Sequence, residues 1–531
     1  MPEYMRAFGY FLALSLVAFM LTRNSFNKRA GKQRVNVWMA SWLLIGATVF
    51  LLQNIWLFLL TSTIVLMFSV RWERERLIPY ILAVCAVPAF SIVVLGAFGI
   101  QLLYQGPAQD FYGAVLLTPL LFRQDPSVSA QKSGSRAFML LGLYVALAVV
   151  LSMRELNVTS TIRAAIALGL TTLWPFLAAS KVDSEDRMRV ICTALVFCLI
   201  PLSLIGLLEL AKGWRIYQTA YLMWGDTSLA FQYVTRDGSL RAAGPTGGPI
   251  IFGFMFMTGI GLLLGLPAIA STRWQGVPLA AMLAVGLVSA LSRGPWLGTL
   301  AILIVFVVTG RNALGNLVKS GAAAMVLFVP LLLTPMGAKI VNLLPFVGNV
   351  DSENVDYRFD LFDKAWTVIM QNPFFGSVDF LQTPEMESMR QGQGIIDIVN
   401  NYVGVALQYG FIGLGLYLLF FLVVLLGLLK VILRLPDGEV QLKLMARALF
   451  ATLIGALITI STVGSLGQIS YLIWLLAGLS VAHTRIAASK IASISLRGNA
   501  RPAPHKLAGI PTSPGGRVVA ARIKIDGSNG R

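Results

Sequence analysis

Residues 411–430 read FIGLGLYLLFFLVVLLGLLK and carry no charge before Lys430. A run of this length is sufficient to cross the roughly 30 Å hydrocarbon core of a bilayer as one helix. Similar apolar runs recur along most of the 531 residues, of which 56% are hydrophobic and only 12% are charged. The composition predicts an all-α polytopic membrane protein, because too little polar sequence remains to cover soluble domains.

The apolar runs predict about 12–15 transmembrane helices and a large loop. Two regions, 37–70 and 105–122, leave the count open. In the first of them, Gln53 and Asn54 form either a tight turn or part of one long helix. The candidate spans are 8–22, 37–52, 54–70, 78–98, 105–122, 136–152, 163–179, 189–209, 249–268, 277–291, 295–309, 320–334, 411–430, 447–463 and 468–484.

The net charge of +18 lies mostly in short clusters of Lys and Arg between the apolar runs, as at 23–34, 71–76, 430–447 and 485–531. Such clusters face the cytoplasm under the positive-inside rule, so the charge predicts membrane orientation and no nucleic-acid partner. Alternating the spans places the basic loops on one side. The long segments 210–248 and 335–410 then lie on the other side, which in a bacterium is the periplasm.

Five segments follow from this pattern. Residues 1–210 contain N-terminal transmembrane helices, and 211–334 contain an outer loop and core transmembrane helices. Residues 335–410 form a large periplasmic loop, 411–486 form C-terminal transmembrane helices, and 487–531 form a disordered basic cytoplasmic tail. Long loops are usually functional or disordered. The loop at 335–410 keeps aromatic and apolar residues throughout, which favours an ordered, functional loop.

Three arginines stand out among those on the predicted outer side, against the positive-inside bias: Arg241, Arg293 and Arg358. Their guanidinium groups match the geometry of phosphate oxygens, which favours anion binding. Snorkelling at the membrane edge or pairing with a carboxylate is the structural alternative. Gly247 and Gly248 follow Arg241 and precede a span, where a helix N-terminus can point at an anionic substrate or simply begin the helix.

Asp397 lies in an apolar setting, GIIDIV, at residues 394–399. Two roles stay open for it: a helix N-cap, or a general base whose pKa is raised by burial. Asn400, Asn401 and Tyr402 follow as candidate ligands of sugar hydroxyls. The two asparagines could instead satisfy backbone groups at the start of the helix.

These motifs together resemble the O-antigen ligase and O-antigen polymerase superfamily, in particular its exopolysaccharide polymerase branch. The resemblance covers roughly 241–416. It rests on the Arg-x-x-Gly sequence at Arg241, on SRGPWLG at 292–298, on Asn-Pro-x-x-Gly at 372–376, and on Asn-x-Tyr at 400–402 followed by Gly-x-x-Gly at 410–413.

The resemblance implies a metal-independent, inverting glycosyltransferase of the membrane-embedded C type, without a cofactor, in the bacterial inner membrane. Its expected partners are an undecaprenyl-diphosphate-linked glycan, the lipid bilayer and, as a further candidate, a chain-length regulator. Arg241 and Arg293 would hold the pyrophosphate, with Arg358 beside them. Arg293 and Asp397 are then the catalytic candidates. The charge pattern, for its part, predicts a cytoplasmic C-terminus.

The chain departs from the ligase pattern at two positions. Ligases of the family usually carry His at the position of Val399 and an acid at the position of Gln408. This difference favours a polymerase that joins lipid-linked repeat units, with Asp397 in place of the histidine. An O-antigen ligase-like transferase remains the alternative.

A lipid-linked oligosaccharide flippase or transporter is a further alternative, as is a non-catalytic assembly protein. A flippase predicts charged residues inside the spans. Glu209 is the main acid near a span, and it lies at the end of that span. A non-catalytic protein predicts that Arg241, Arg293 and Asp397 can each be replaced without loss of polymer.

Overall fold

The computed structural model describes residues 1–73, 75–96, 102–122, 135–155, 157–225, 234–236, 238–266, 273–312, 315, 352–390, 396–464 and 467–499. They form α-helices and two short antiparallel hairpins. The helices are α1 (Glu3–Ala30), α2 (Lys32–Leu51), α3 (Ile55–Glu73), α4 (Leu77–Ala86), α5 (Ala108–Leu121), α6 (Ser135–Ser152), α7 (Val158–Leu168), α8 (Trp174–Ser180), α9 (Glu185–Lys212), α10 (Gln218–Met223), α11 (Pro249–Leu264), α12 (Arg273–Ser289), α13 (Arg293–Val308), α14 (Ser352–Gln371), α15 (Pro384–Glu387), α16 (Asn401–Arg434), α17 (Val440–Ile460) and α18 (Gln468–Asn499). The hairpins pair β1 (Ser91–Leu95) with β2 (Leu102–Pro107) and β3 (Thr235–Arg236) with β4 (Ser239–Leu240).

Within these described ranges, nine helices are long and apolar enough to cross a membrane. They are α1, α2, α3, α6, α9, α16, α17, α18 and the continuous segment Val158–Ser180, in which a π-helical turn at Gly169–Leu173 joins α7 to α8. The shorter apolar helices α4, α11, α12 and α13 pack among them. This architecture confirms the predicted all-α polytopic membrane fold.

The open region at 37–70 contains two helices. Asn54 Oδ1 accepts hydrogen bonds from the backbone N–H groups of Trp56 (2.9 Å) and Leu57 (3.1 Å) at the start of α3. A side-chain oxygen at this position satisfies N–H groups that have no partner within the helix. Of the two alternatives, the structure therefore has the polar turn at Gln53 and Asn54 and not one long helix.

The predicted span at 78–98 is wrong, because α4 ends after ten residues and the chain then enters β1. Val87 is extended (φ −83°, ψ 128°), as expected for a residue that precedes a proline, here Pro88. The run at 105–122 begins within strand β2 and becomes helical only at Ala108. Two short helices joined by a hairpin thus replace two full spans.

Other boundaries shift by about ten residues. α16 begins at Asn401, before the predicted span at 411–430, and α18 continues to Asn499, beyond the predicted start of the tail at 487. The predicted span at 320–334 lies outside the described residues.

Contacts group the loops at two ends of the bundle. At one end, which carries the basic loops, Arg187 pairs with Glu75 (2.6 Å). At the other end, the backbone N–H of Ala89, beside the β1–β2 hairpin, donates to the carbonyl of Pro245 (2.9 Å) in the loop that follows Arg241. We call these the basic end and the outer end; the compartment that each faces stays a prediction from the charge pattern.

Helices α13 and α17 pack with their backbones in contact. A Cβ added at Gly298 would lie 2.9 Å from the Gly455 carbonyl oxygen, and one at Gly455 would lie 2.7 Å from the Gly298 carbonyl oxygen. Small residues permit this close approach of helices in membranes. The contact fixes the N-terminus of α13, where Arg293 lies, against the outer end of α17.

Candidate functional site

Arg241 is held against the link between α12 and α13. Its guanidinium donates to the Ala290 carbonyl (3.3 Å) and to the Ser292 hydroxyl (3.3 Å). The next backbone N–H, of Ala242, donates to the Ser289 carbonyl (3.0 Å). Although Arg241 and Arg293 are 52 positions apart in the sequence, the structure brings the segments that carry them into contact.

Arg236 joins this cluster and was missed by the sequence reasoning. Its guanidinium donates to the Leu291 carbonyl (2.6 Å), one residue beyond the carbonyl that Arg241 contacts. Burial, together with the charge of Arg236, lowers the pKa of Arg241 to about 10, so Arg241 remains a cation at neutral pH. We call Arg236, Arg241, Arg293 and the link 290–292 the arginine turn.

The arginine turn also contains a helix N-terminus and a strained residue. Ser292 is the N-cap residue of α13, yet its side chain makes no capping hydrogen bond and accepts from Arg241 instead. The first N–H groups of a helix and its dipole favour an anion. Leu291 has a φ of +44°, a conformation that costs a non-glycine residue about 1–3 kcal/mol and is often found at functional sites.

Glu209, at the end of α9, holds the loop that carries Arg241. Its fully buried carboxylate accepts from the backbone N–H groups of Ala243 and Gly244, both at 2.9 Å, and from that of Ile216 at 3.2 Å. A charged acceptor makes stronger hydrogen bonds than a neutral one. Glu209, which was considered above as a residue of a transport path, therefore fixes the backbone of the loop that carries Arg241.

A second part of the site lies in the outer loop, which docks onto a break in α16. Gly410 interrupts that helix with φ +68° and ψ −170°. The freed N–H groups of Phe411 and Ile412 donate to the carbonyls of Pro373 (2.7 Å) and Phe374 (3.2 Å). The Asn-Pro-x-x-Gly and Gly-x-x-Gly motifs are thus two halves of one backbone contact.

Two further contacts secure this docking. The N–H of Ser377 donates to the Leu407 carbonyl (2.9 Å), and Arg154, from the link between α6 and α7, donates to the Gly376 carbonyl (2.9 Å). Arg154 was not singled out from the sequence, where it is one isolated cation in a short loop.

Asp397 lines a cavity of about 430 Å³ between the loop and the helices. Other polar side chains and several aromatic rings face the same space: Thr171, Thr172, Asn400, Asn401, Gln408, Tyr144, Tyr409, Tyr417 and Trp474. The two threonines lie on the π-helical turn, a feature frequent at functional sites. Aromatic rings beside amide, hydroxyl and carboxylate groups suit a carbohydrate. Thr171, Thr172 and Trp474 were missed because they lie within predicted spans.

The Asp397 side chain is exposed at this cavity, and its backbone is fixed by Tyr357. The Tyr357 hydroxyl donates to the Asp397 carbonyl (3.0 Å) and lies 3.2 Å from the Asp397 backbone N–H, which donates to it. Partial removal from water raises the pKa of the Asp397 carboxyl, while the charge of Arg358 lowers it. The net shift is upward, which makes the ionised carboxylate a stronger proton acceptor.

The N-cap of α16 is Asn400, so the N-cap alternative for Asp397 is wrong. Asn400 Oδ1 accepts from the N–H groups of Tyr402 (2.9 Å) and Val403 (3.3 Å). An Asn three residues further along the chain is correctly placed for this role, whereas Asp397 lies outside the first turn.

The other two sugar-binding candidates also make internal contacts. Asn401 Nδ2 donates to the Tyr417 hydroxyl (3.1 Å), and both residues line the cavity. The Tyr402 hydroxyl donates to the Leu457 carbonyl (2.8 Å) of α17. Tyr402 therefore ties α16 to α17, whereas Asn400 and Asn401 border the cavity.

Arg358 lines a smaller adjoining cavity of about 170 Å³ with Val399, Asn400 and Ser461. Because Asn400 borders both cavities, the two are neighbours. Val399, at the position of the family histidine, faces Arg358, while Gln408, at the position of the family acid, faces the Asp397 cavity.

The outer end of α17 and the residues after it connect both parts of the site. Thr459 contacts the Gly294 carbonyl next to Arg293 (3.5 Å). Ser461 lines the Arg358 cavity, and Gly464 lines the Asp397 cavity. The arginine turn and both cavities therefore lie at the same end of the bundle. Residues of the single segment 459–464 contact the turn and line the two cavities.

The fold and this site define a multi-pass membrane protein with cationic and carbohydrate-compatible surfaces at its outer end. Residues 278–418 match the family model described as O-antigen ligase. This match confirms the resemblance of this part of the chain to the O-antigen ligase and polymerase superfamily of membrane glycan transferases. The matched range includes Arg293, Arg358 and Asp397 but not Arg241. No curated protein matches the chain significantly.

Proposed function

We propose that this protein polymerises undecaprenyl-diphosphate-linked oligosaccharide repeat units into an exopolysaccharide or O-antigen-like polysaccharide at the periplasmic face of the inner membrane. The observation that carries the proposal is the connection, through the outer end of α17, of a cationic turn with a carboxylate-lined cavity. The first suits a diphosphate, and the second suits an acceptor sugar.

The arginine turn is the proposed site of the donor diphosphate. Arg241 and Arg293 bring positive charge to the N-terminus of α13, and the turn is fixed by Glu209 and by the Ser292 contact. Fixed charges aimed at a developing anion stabilise the transition state without reorganisation. Arg236 adds a third cation to this set.

Asp397 is the proposed base. The acceptor hydroxyl oxygen forms a bond to C1 of the donor sugar while the bond from C1 to the diphosphate oxygen breaks. The electron pair of that bond leaves with undecaprenyl diphosphate, and the hydroxyl proton passes to the Asp397 carboxylate. Attack opposite to the leaving group inverts C1. The arginines supply the positive charge that a divalent cation brings to the leaving diphosphate in other transferases, so we propose that the reaction proceeds in EDTA.

The polymerase is favoured over the ligase by the groups at Val399 and Gln408, which cannot act as the histidine and acid of the ligase pattern. It is favoured over a flippase by Glu209, whose carboxylate is engaged by three backbone N–H groups.

The test is complementation of a deletion strain at matched membrane levels of each variant. We expect Arg293→Ala and Asp397→Asn to accumulate single lipid-linked repeat units, because loss of a positioned charge or of a general base lowers rates by about 10²–10⁴. Arg390→Ala and Asp379→Asn are the matched controls: Arg390 pairs with Glu387 on the outer-loop surface, and Asp379 is exposed in the same loop. Full-length polymer from Arg293→Ala and Asp397→Asn would exclude the proposed site.

A further inference from the structure

A groove lies at the basic end, far along α16 from the proposed active site. Its volume is about 700 Å³, and it is enclosed by the start of α6, the last turns of α16 and the second half of α18. Apolar side chains form its walls: Ala137, Val423, Val424, Leu426, Val431, Val481 and Ile491. Gly427, Ala488 and Ala492 add little side-chain volume and leave the space open.

Three cations, Arg136, Lys430 and Arg434, line the same groove. Among the residues that the structure describes, no carboxylate pairs with any of them. Other cations at this end do have partners: Lys443 lies 3.0 Å from Asp437, and Lys490 lies 3.4 Å from Glu439. Charge is therefore balanced next to the groove but not within it.

The adjoining sequence does not provide the missing anions. Residues 500–531 contain six Lys or Arg residues and one acid, Asp526, and residues 123–134 contain Arg123 and Lys132 with one acid, Asp125. Both segments carry net positive charge, so they favour a source of the complementary negative charge outside the chain. A ligand that also covers apolar walls between membrane helices must itself be amphipathic.

We propose that this groove binds an anionic diacyl phospholipid, with its phosphate on Arg136, Lys430 and Arg434 and an acyl chain along α16 and α18. Basic pockets between transmembrane helices are suited to acidic head groups, and each cation near the surface adds about fivefold to the affinity. The site is independent of the proposed glycan chemistry, since it lies at the opposite end of the bundle.

The test is native mass spectrometry of the full chain in detergent with added phosphatidylglycerol or phosphatidylcholine. We expect the wild type to retain phosphatidylglycerol in preference to phosphatidylcholine. The triple variant Arg136→Gln, Lys430→Gln and Arg434→Gln should lose about 100-fold in apparent affinity. The matched control Lys32→Gln, Arg71→Gln and Arg311→Gln removes the same charge from the same end outside the groove and should retain the lipid.

A second variant separates the groove from its charges. Gly427→Leu keeps all three cations but fills the space, and its Cβ has ordinary contacts at 3.4 Å or more from Thr484. We expect it to lose phosphatidylglycerol as well. Any of four results would overturn the proposal. The two triple variants could lose phosphatidylglycerol equally, or the wild type could retain phosphatidylcholine as well as phosphatidylglycerol. The wild type could bind glycerol phosphate, which has no acyl chains, as well as it binds the lipid, or Gly427→Leu could bind phosphatidylglycerol as the wild type does.

Discussion

The contact between the outer loop and the break in α16 predicts that Gly376 and Gly410 cannot be replaced by alanine. Both have positive φ, +64° and +68°. A Cβ at Gly376 would lie 2.4 Å from the Leu407 carbonyl oxygen, and a Cβ at Gly410 would lie 2.3 Å from the Phe374 carbonyl carbon. The obstructing atoms belong to the backbone, so no side chain can rotate away.

The magnitude follows from the backbone conformation and the overlap. Gly410, with ψ −170°, occupies a region open essentially to glycine alone, where another residue costs about 1–3 kcal/mol. Gly376 is left-handed, which costs alanine about 1–2 kcal/mol. The overlap adds to both values, because the loop must move outward and break the hydrogen bonds of Phe411 and Ser377.

Gly415→Ala is the matched control in the same helix, since no heavy atom lies within 4 Å of its added Cβ. Alanine in a helix interior should be neutral or stabilising by up to about 1 kcal/mol. The assay compares thermal unfolding of the three purified variants with glycan transfer. We expect lower melting temperatures and lower transfer for Gly376→Ala and Gly410→Ala only. If these two variants unfold and transfer as Gly415→Ala does, the interlocking of the two motifs is not what holds the loop.

Three other predictions concern the pH profile, the arginine turn and Tyr402. Asp397 acts in its ionised form, so the transfer rate should fall as the pH drops through its raised pKa, above the ordinary value of about 3.9. Arg358→Gln removes the charge that lowers this pKa, so the acidic side of the pH–rate profile should move to higher pH. An acidic side that does not move would contradict the interaction between Arg358 and Asp397. Glu209→Gln weakens hydrogen bonds worth about 1.5–3 kcal/mol each to a charged group, so the KM for the lipid-linked donor should rise and the melting temperature should fall, and an unchanged KM would separate Glu209 from the Arg241 loop. Tyr402→Phe removes the bond to α17 and should cost about 1 kcal/mol of stability with no change in the KM for the glycan; a raised KM at unchanged stability would instead assign Tyr402 to sugar binding.

The sequence predicted the helical membrane fold because long apolar runs have few alternatives in a bilayer. The prediction of spans failed where a short apolar run can form either a helix or a strand. At 87–95, Pro88 and the β-branched residues that follow produce a strand, although average hydropathy is that of a span. Hydrophobicity alone does not distinguish a strand from a helix in so short a stretch.

Part of the candidate site could be named from the sequence. Arg241 and Arg293 were recognised by their charge on the outer side, and Asp397 by its apolar surroundings. Arg236 carries the same outer-side charge as Arg241 but lacks the Gly-rich motif that follows Arg241, and Thr172 carries no signal, because its place at the cavity comes from contacts between segments distant in sequence. The capping role of Asn400, by contrast, could be predicted from local sequence. Asn is a favoured N-cap residue, and it stands here directly before a helical run.

Transfer by the purified protein, reconstituted in liposomes with an undecaprenyl-diphosphate-linked repeat unit, tests the central claim most directly. The wild type should release one undecaprenyl diphosphate for each new glycosidic bond and build chains of increasing length, in EDTA as well as in magnesium. Asp397→Asn should still bind the donor but form almost no bonds. Wild-type protein that transfers glycan only to lipid A-core, or a fully active Asp397→Asn, would contradict the account.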